Sequence, residues 1–274
     1  MASGTLSINL ATLRCPGWGL AEAIDGCLRH GITAISPWRD QIQAVGLAEA
    51  TRIIRGSGLR VTSLCRGGAF PAATAEERQQ RLDDNRRAID EAASIGAEQL
   101  VLVVGTLLPG SRNIDAVRHV VAEGIAAVLP HARANNIPLA IEPLHPMYAA
   151  DRACINTIDQ ALDLCAELGE GVGVAIDAYH TWWDPGLAAA IARAGRERRI
   201  LAHHISDWLL PTKDMLNDRG MMGDGVIDLP GFRRMIEAAG YTGPQEVEIF
   251  SHDWWARPGD EVIHTILDRF AKVC

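Results

Sequence analysis

Short apolar runs alternate with longer amphipathic segments along the chain. Each run is rich in Val, Ile and Leu, and a polar or Gly/Pro stretch separates it from a segment whose apolar positions have helical spacing. This alternation is typical of βαβ units, in which helices join parallel strands. Eight runs are predicted as strands, at residues 5–10, 32–36, 59–64, 99–104, 138–141, 172–176, 200–205 and 245–249. Eight segments are predicted as helices, at residues 21–30, 47–57, 75–95, 114–135, 157–168, 187–194, 230–239 and 260–271.

Several predicted helices end at Gly or Asn and lead into the next strand within a few residues, as at Gly31, Gly96 and Asn135. Both residue types tolerate the left-handed conformation that ends a helix. Short turns at one end, longer loops at the other and eight repeats in 274 residues predict an α/β fold, a (β/α)8 TIM barrel, as a single domain over residues 1–274. An open doubly wound sheet is the alternative, but the Gly-rich phosphate loop expected after its first strand is absent from the sequence.

Composition narrows the range of partners. Lys and Arg number 26 against 34 Asp and Glu, a formal net charge of -8, so we expect neither a nucleic acid nor an anionic membrane as partner. No secretory signal or membrane span is apparent, which predicts a cytoplasmic protein. The six Cys show no CxxC spacing and are expected to be reduced packing residues. A homo-oligomer is left open.

The chemistry is expected where the strands end, because the loops that follow them surround one mouth of a barrel. Glu142, Asp177 and Glu248 lie at the ends of the predicted fifth, sixth and eighth strands, and His203 and His204 lie in the seventh. Buried carboxylates need a basic partner or a metal, and three of them with a His suit a divalent ion such as Mn2+, Mg2+, Co2+ or Zn2+. Adjacent strand residues face opposite ways, so one of the two His points inward, and spacing alone does not decide which.

Five motifs follow one another along the chain: EPLH at 142–145, DAYH at 177–180, HISD at 204–207, GDGVID at 223–228 and EIF at 248–250. In this order they resemble the xylose isomerase-like TIM barrels called sugar phosphate isomerases/epimerases, which include ketose epimerases, hydroxypyruvate isomerase and inosose dehydratase. The resemblance implies a metal site of Glu142, Asp177, His204 and Glu248, with Mn2+ as the first expectation.

The resemblance also implies a mechanism. A metal that chelates adjacent carbonyl and hydroxyl oxygens acidifies the C–H between them and stabilises an enediolate, while Glu142 and Glu248 remove and return the proton. The implied activity is a divalent-metal-dependent isomerase or epimerase of a sugar, keto-sugar or related polyhydroxy carbonyl compound. A lyase or dehydratase acting on a keto-sugar, keto-inositol or keto-glycoside at the same site is the alternative. An endonuclease-like phosphodiesterase and a non-catalytic sugar-binding protein are less favoured.

Three further residues are predicted to bind substrate. His180 would hydrogen-bond a substrate oxygen, and Arg66, after the third strand, would contact an anionic or polyhydroxy group. Ketose epimerases commonly carry an Arg six residues after the strand-seven His, where this chain has Leu210. Arg219, in a longer loop, is predicted to take its place beside Glu248.

Aromatic residues complete the predicted substrate site. All seven Trp follow strands on the side of the predicted mouth. Trp183 and Trp208 are predicted to stack on the apolar face of a sugar ring or to close over it, which favours a cyclic or glycosylated substrate. Asp207, which completes the HISD motif, is placed with the substrate-binding residues.

Overall fold

A computed structural model describes residues 6–274. Its strands are β1 (Leu6–Asn9), β2 (Ala34–Ser36), β3 (Arg60–Val61), β4 (Leu64–Gly68), β5 (Leu100–Val103), β6 (Leu139–Ile141), β7 (Val172–Asp177), β8 (Ile200–Ile205), β9 (Asp207–Trp208), β10 (Arg219–Gly220) and β11 (Gln245–Val247). Its helices are α1 (Leu20–Arg29), α2 (Arg39–Val45), α3 (Leu47–Ser57), α4 (Ala75–Ile95), α5 (Ile114–Ala134), α6 (Ile158–Leu168), α7 (Ala178–Thr181), α8 (Leu187–Arg196), α9 (Leu229–Ala238), α10 (His252–Trp255) and α11 (Gly259–Val273). Two short 3-10 turns cover Leu10–Leu13 and Pro146–Tyr148.

Nine strands form one parallel sheet in the order β3-β2-β1-β11-β8-β7-β6-β5-β4. Pairing of β1 with β11 joins the two ends of the chain, and a parallel bridge between Trp38 and Cys65 brings the two edges of the sheet together. With the helices around it, the sheet is a nearly closed barrel, so the predicted single-domain TIM barrel is confirmed. The start of the first predicted strand, Thr5, lies outside the described residues.

The third predicted strand differs from its prediction. The structure divides it, because β3 pairs with β2 whereas β4 pairs with β5. The polar residues Thr62 and Ser63 lie at the change of partner, and their hydroxyl groups point into the barrel towards Glu246. The strand then continues to Gly68, where a Cβ atom would lie 2.0 Å from the Val103 carbonyl oxygen and φ is 110°. Only Gly permits this close approach, which is why the sequence resembles a loop there.

The helices begin where the sequence supplies side-chain caps. The hydroxyl of Thr74 accepts from the backbone N–H of Glu77 at the start of α4, and Thr157 does the same for Gln160 at the start of α6. The short helices α2, α7 and α10 were not predicted, because each is too brief to show a helical period. Within residues 6–274, no helix is long and apolar enough to cross a membrane.

Most of the apolar core lies between the sheet and the surrounding helices. A second, much smaller apolar cluster contains Val101, Ala140, Ala175 and Ala202, which lie on adjacent strands. Each Ala lies two residues before a residue of the predicted metal site, so the same face of the strand carries both. Small side chains inside the barrel leave room for polar groups beneath its mouth.

Candidate active site

Four polar side chains converge at the mouth of the barrel. Glu142 follows β6, Asp177 ends β7, His204 lies in β8 and Glu248 follows β11. Each offers a ligand atom, and these atoms all lie within 4.8 Å of one another. All four residues are buried, with at most 5% of their surface exposed. We call these four residues the mouth layer.

The two adjacent His residues face opposite sides of β8. His204 Nδ1 lies 3.1 Å from Glu142 Oε1 and 3.9 Å from Glu248 Oε2, inside the mouth layer. His203 faces the helices, where its ring stacks on Phe232 of α9 at a centroid distance of 5.3 Å. Its Nδ1 lies 3.1 Å from the carbonyl oxygen of Ile176. Spacing alone did not decide whether His203 or His204 points inward. The structure shows that His204 does.

Arg219 reaches the mouth layer from a small antiparallel ribbon of β9 and β10. Its Nη1 donates to Asp177 Oδ2 and Glu248 Oε2, both at 2.9 Å. Its guanidinium carbon lies 4.6 Å from the ring centroid of Tyr179 and 5.1 Å from that of Phe250. The structure thus places a guanidinium beside Glu248, as the sequence suggested, whereas Leu210 is 70% exposed.

His180 lies beside Arg219 and lines the cavity at the mouth. Arg219 Nη2 donates to His180 Nε2 at 3.1 Å, which places the imidazole proton on Nδ1. Burial lowers the pKa of His180 to about 3, so the ring is neutral. The Nδ1 atom has no hydrogen-bond partner among the described residues.

The electrostatics of the mouth layer fit a divalent cation. Three carboxylates face one guanidinium and the imidazole of His204. Burial would lower the pKa of His204, but the carboxylates of Glu246, Glu142 and Glu248 hold it well above its usual value, so the ring carries a proton that a bound cation would displace. Burial raises the pKa of Glu248 to about 7, although Arg219 and His204 oppose the shift. Burial would also raise the pKa of Asp177, but the charge of Arg219 holds it below its usual value. A mixed set of carboxylate oxygens and one imidazole nitrogen is suitable for Mn2+ or Zn2+.

A second layer of inward side chains lies one step deeper in the barrel. Ala140, Ala175, Ala202 and Glu246 each precede a mouth-layer residue by two positions, and we call them the inner layer. Glu246 is the one charged member, and only 2% of it is exposed.

Hydrogen-bond donors surround the carboxylate of Glu246. Its Oε1 accepts from Asn9 Nδ2 at 2.9 Å, and its Oε2 accepts from Thr62 Oγ1 at 2.8 Å and Ser63 Oγ at 3.3 Å. Asn9 Nδ2 also donates to Glu248 Oε1 at 2.9 Å, which links the two layers. Glu246 Oε1 lies 3.4 Å from His204 Nε2. The negative charge of Glu246 favours a proton on Nε2, while Nδ1 faces Glu142 and Glu248 in the mouth layer.

A cavity with an empty volume of about 570 Å³ opens above the mouth layer. Its polar lining comprises Glu142, His180, Arg219 and Glu248 together with Arg66 and Arg152. Its other lining residues are Trp38, Cys65, Val101, Val103, Leu144, Tyr148, Leu216 and Phe250. The charged and apolar surfaces together suit a polyhydroxy compound with a carbon skeleton.

Three residues predicted to bind substrate do not line this cavity. Asp207 is 1% exposed, and its carboxylate accepts four backbone hydrogen bonds, from the N–H groups of Trp208, Gly223, Gly225 and Ile227. It therefore organises the loop that carries the GDGVID motif. Trp183 donates from Nε1 to the carbonyl oxygen of His180 at 2.8 Å. Trp208 stacks on Tyr179 at a centroid distance of 4.7 Å. Both rings pack behind the cavity wall.

Several residues of the site were not predicted from the sequence. Of the seven Trp, all within the described range, Trp38 is the one that lines the cavity, and its Nε1 donates to Asn9 Oδ1 at 2.6 Å. Asn9 and Glu246 could have been found, because both are polar residues at inward positions near strand ends. Tyr148 and Arg152 belong to the loop after β6, where no motif or period marks them.

Comparison with known proteins gives relatives of several activities. A 3-dehydroshikimate dehydratase from Pseudomonas aeruginosa is 25% identical over 261 residues, 93% of this chain and 38% of the dehydratase. The chain thus spans about two fifths of that relative's length. An inosose isomerase from Bacillus velezensis is 21% identical over 90% of this chain and 89% of its own length.

Solved structures share the fold. Protein SMc04130 from Sinorhizobium meliloti 1021 is 69% identical, with a TM-score of 0.96 and 98% of each chain covered. The IolI protein, solved with a bound zinc atom, is 18% identical, with a TM-score of 0.84 over 98% of this chain and 97% of that one. A family model described as xylose isomerase-like TIM barrel matches residues 23–272. The chain therefore belongs to the xylose isomerase-like TIM barrel family.

Proposed function

We propose that the protein is a divalent-metal-dependent isomerase or epimerase of a sugar, keto-sugar or related polyhydroxy carbonyl compound. One observation carries the proposal: Glu142 and Glu248 belong to the four-residue mouth layer and also line the cavity. Each carboxylate can therefore reach a molecule bound there. Two carboxylates that contact one substrate can remove a proton and return it at another position or on another face.

Neighbouring groups hold both carboxylates in place. Glu248 accepts from Asn9 through Oε1 and from Arg219 through Oε2, and Glu142 Oε1 lies 3.1 Å from His204 Nδ1. Fixed carboxylates keep their proton-accepting oxygens at one distance from the substrate, which acid–base catalysis requires. Trp38, Phe250 and the apolar residues of the cavity would lie against the carbon skeleton of a bound substrate.

Glu142, Asp177, His204 and Glu248 would hold the cation, and Mn2+ is our first expectation. When bound, a divalent cation supplies positive charge that acidifies a C–H next to a carbonyl group. Arg219 would contribute a second positive charge at the same side, and His180 a hydrogen bond from its Nδ1. A small carbohydrate is the proposed partner, and a cytoplasmic location remains a prediction from the sequence.

A dehydratase is the second candidate, because the chain resembles 3-dehydroshikimate dehydratases over 93% of its length. The same proton abstraction leads to loss of water when a hydroxyl group lies β to the carbonyl carbon. The residues of the site would then be shared, and the position of the leaving group on the substrate would decide the outcome.

The two candidates are separated by proton NMR in D2O. The purified, manganese-loaded protein is mixed with ketoses, keto-inositols, 3-keto-glycosides and 3-dehydroshikimate. Deuterium that enters next to a carbonyl group without loss of water supports the isomerase or epimerase. Loss of water supports the dehydratase. If no compound exchanges a proton or loses water, the proposed function is contradicted.

A further inference from the structure

Two arginines line the cavity on the side formed by β4 to β6. Arg66 lies in β4, and Arg152 lies in the loop between β6 and α6. Among residues 6–274, no carboxylate lies within 4 Å of the Arg66 side-chain nitrogens. The partner of Arg152 is Asp151, whose Oδ2 is 3.4 Å from Nε and whose side chain is 73% exposed. Neither guanidinium therefore forms an ion pair with a buried carboxylate.

The two guanidinium groups also influence each other. Burial and the charge of Arg152 lower the pKa of Arg66, and the negative charges of Glu142 and Glu248 offset this only in part, so the two cations repel one another. Arg152 stacks over the ring of Tyr148, with the guanidinium carbon 5.5 Å from the centroid. Half-buried cations that lack a partner destabilise a protein unless a ligand pairs with them. An anion between them would remove the repulsion.

Neither arginine belongs to the group of residues that surrounds the proposed cation. Arg219 is already bonded to Asp177 and Glu248, so its charge is shared within the mouth layer. Arg66 and Arg152 are therefore the cavity's free positive charges among the described residues. Guanidinium groups bind carboxylate and phosphate oxygens through paired hydrogen bonds, so the chemistry that matches this wall is an oxyanion.

We propose that the cavity takes an anionic polyhydroxy carbonyl compound, a sugar acid or a sugar phosphate, whose oxyanion is bound by Arg66 and Arg152. The inference rests on the proposed function, because it treats the cavity as the substrate site. The reacting carbons would lie against Glu142 and Glu248, and the charged group would lie beside them, against Arg66 and Arg152. The substrate would thus be oriented by two different kinds of charge.

Binding tests the proposal without any need for turnover. The metal-loaded protein is titrated by calorimetry with D-glucose, D-glucuronate and D-glucose 6-phosphate. Charge-assisted hydrogen bonds predict that one or both anions bind about 10- to 100-fold more tightly than glucose. Preference for glucuronate identifies a carboxylate, and preference for glucose 6-phosphate identifies a phosphate. Equal affinity for the three compounds, or no detectable binding of either anion, would overturn the proposal.

Variants locate the anion. Arg66→Gln and Arg152→Gln should each reduce the preference for the anion, and the double variant should abolish it. Arg196→Gln is the matched control, because Arg196 is exposed at the C-terminal end of α8 and does not line the cavity. Anion binding that survives the double variant would be binding to the cation alone and would overturn the proposal. If a variant fails to fold, the three titrations of the unmodified protein still test whether the cavity prefers an anion.

The anion site and the proposed activity can fail separately in these experiments. If anions bind through the arginines but no compound exchanges a proton in D2O, the proposed activity fails and the anion site stands. If exchange occurs only with neutral compounds and anions bind no better, the anion site fails and the activity stands.

Discussion

The mouth layer and the inner layer occupy the same strands, two residues apart, yet their buried carboxylates have different partners. Glu246 in the inner layer is surrounded by donors from Asn9, Thr62 and Ser63. The three carboxylates of the mouth layer have one guanidinium, that of Arg219. A carboxylate with a full set of donors is stable as part of the fold, whereas a cluster with excess charge is suited to bind a cation.

The two layers also differ in the side chains beside their carboxylates. The inner layer contains three alanines, which give Glu246 the space to be approached by hydroxyl and amide groups. In the mouth layer the corresponding positions are Glu142, Asp177 and His204. We infer that the inner layer holds the site in place, whereas the mouth layer contacts the cation and the substrate. Substitutions in the two layers should therefore have different consequences.

The largest effect is expected from Glu142→Gln or Glu248→Gln. An amide cannot accept the substrate proton, so each substitution should lower the rate of deuterium exchange by at least about 10²- to 10⁴-fold. The exchange is followed by proton NMR in D2O at saturating manganese. Glu170→Gln, at an exposed position, is the control and should keep full activity. Full activity in either mouth-layer variant would refute the two-carboxylate proposal.

Glu246→Gln should weaken metal binding without abolishing activity. Its carboxylate faces His204 Nε2 at 3.4 Å, and loss of such a support typically lowers metal affinity about 10- to 100-fold. Exchange activity should therefore return when manganese is added in excess, which distinguishes this variant from Glu248→Gln. Unchanged metal affinity in a calorimetric titration would show that the inner layer does not support the site.

Ala202→Leu should destabilise the barrel, because it adds three carbon atoms to a tightly filled inner layer. Overpacking of this kind lowers the free energy of unfolding by about 1–3 kcal/mol. Urea unfolding followed by circular dichroism measures the change. The exposed Ala188 of α8 provides the control, since Ala188→Leu should leave stability nearly unchanged. Equal stability of the two variants would mean that the inner layer has unused space.

Thr62→Val should have the smallest effect of the four. It removes one donor to Glu246 Oε2 but leaves Ser63 Oγ at 3.3 Å and Asn9 on the other oxygen. A hydrogen bond to a charged group contributes about 1.5–3 kcal/mol at most, and the remaining donors should reduce the loss. Urea unfolding should therefore show a modest loss of stability, with metal affinity close to that of the unmodified protein. A loss of metal binding as large as that of Glu246→Gln would show that the donors around Glu246 do not share its support.

The sequence predicted most of the fold because the strands and helices have clear periods. It failed at residues 62–68, where tertiary pairing changes and glycines allow a close approach that no local pattern reveals. The mouth layer was predicted because acids after apolar strands are conspicuous. Tyr148 and Arg152 could not be predicted, since their position depends on how a loop folds over the mouth. Asp207 was misplaced because a carboxylate that binds backbone N–H groups looks the same in sequence as one that binds substrate.

Calorimetry can measure whether the mouth layer binds a cation. Protein freed of metal with a chelator is titrated with Mn2+, alongside Asp177→Asn and His204→Ala. We expect one cation per chain for the unmodified protein and a loss of binding in both variants, because each removes a ligand from the cluster. Absence of Mn2+ binding, or binding that both variants retain at full affinity, would contradict this expectation.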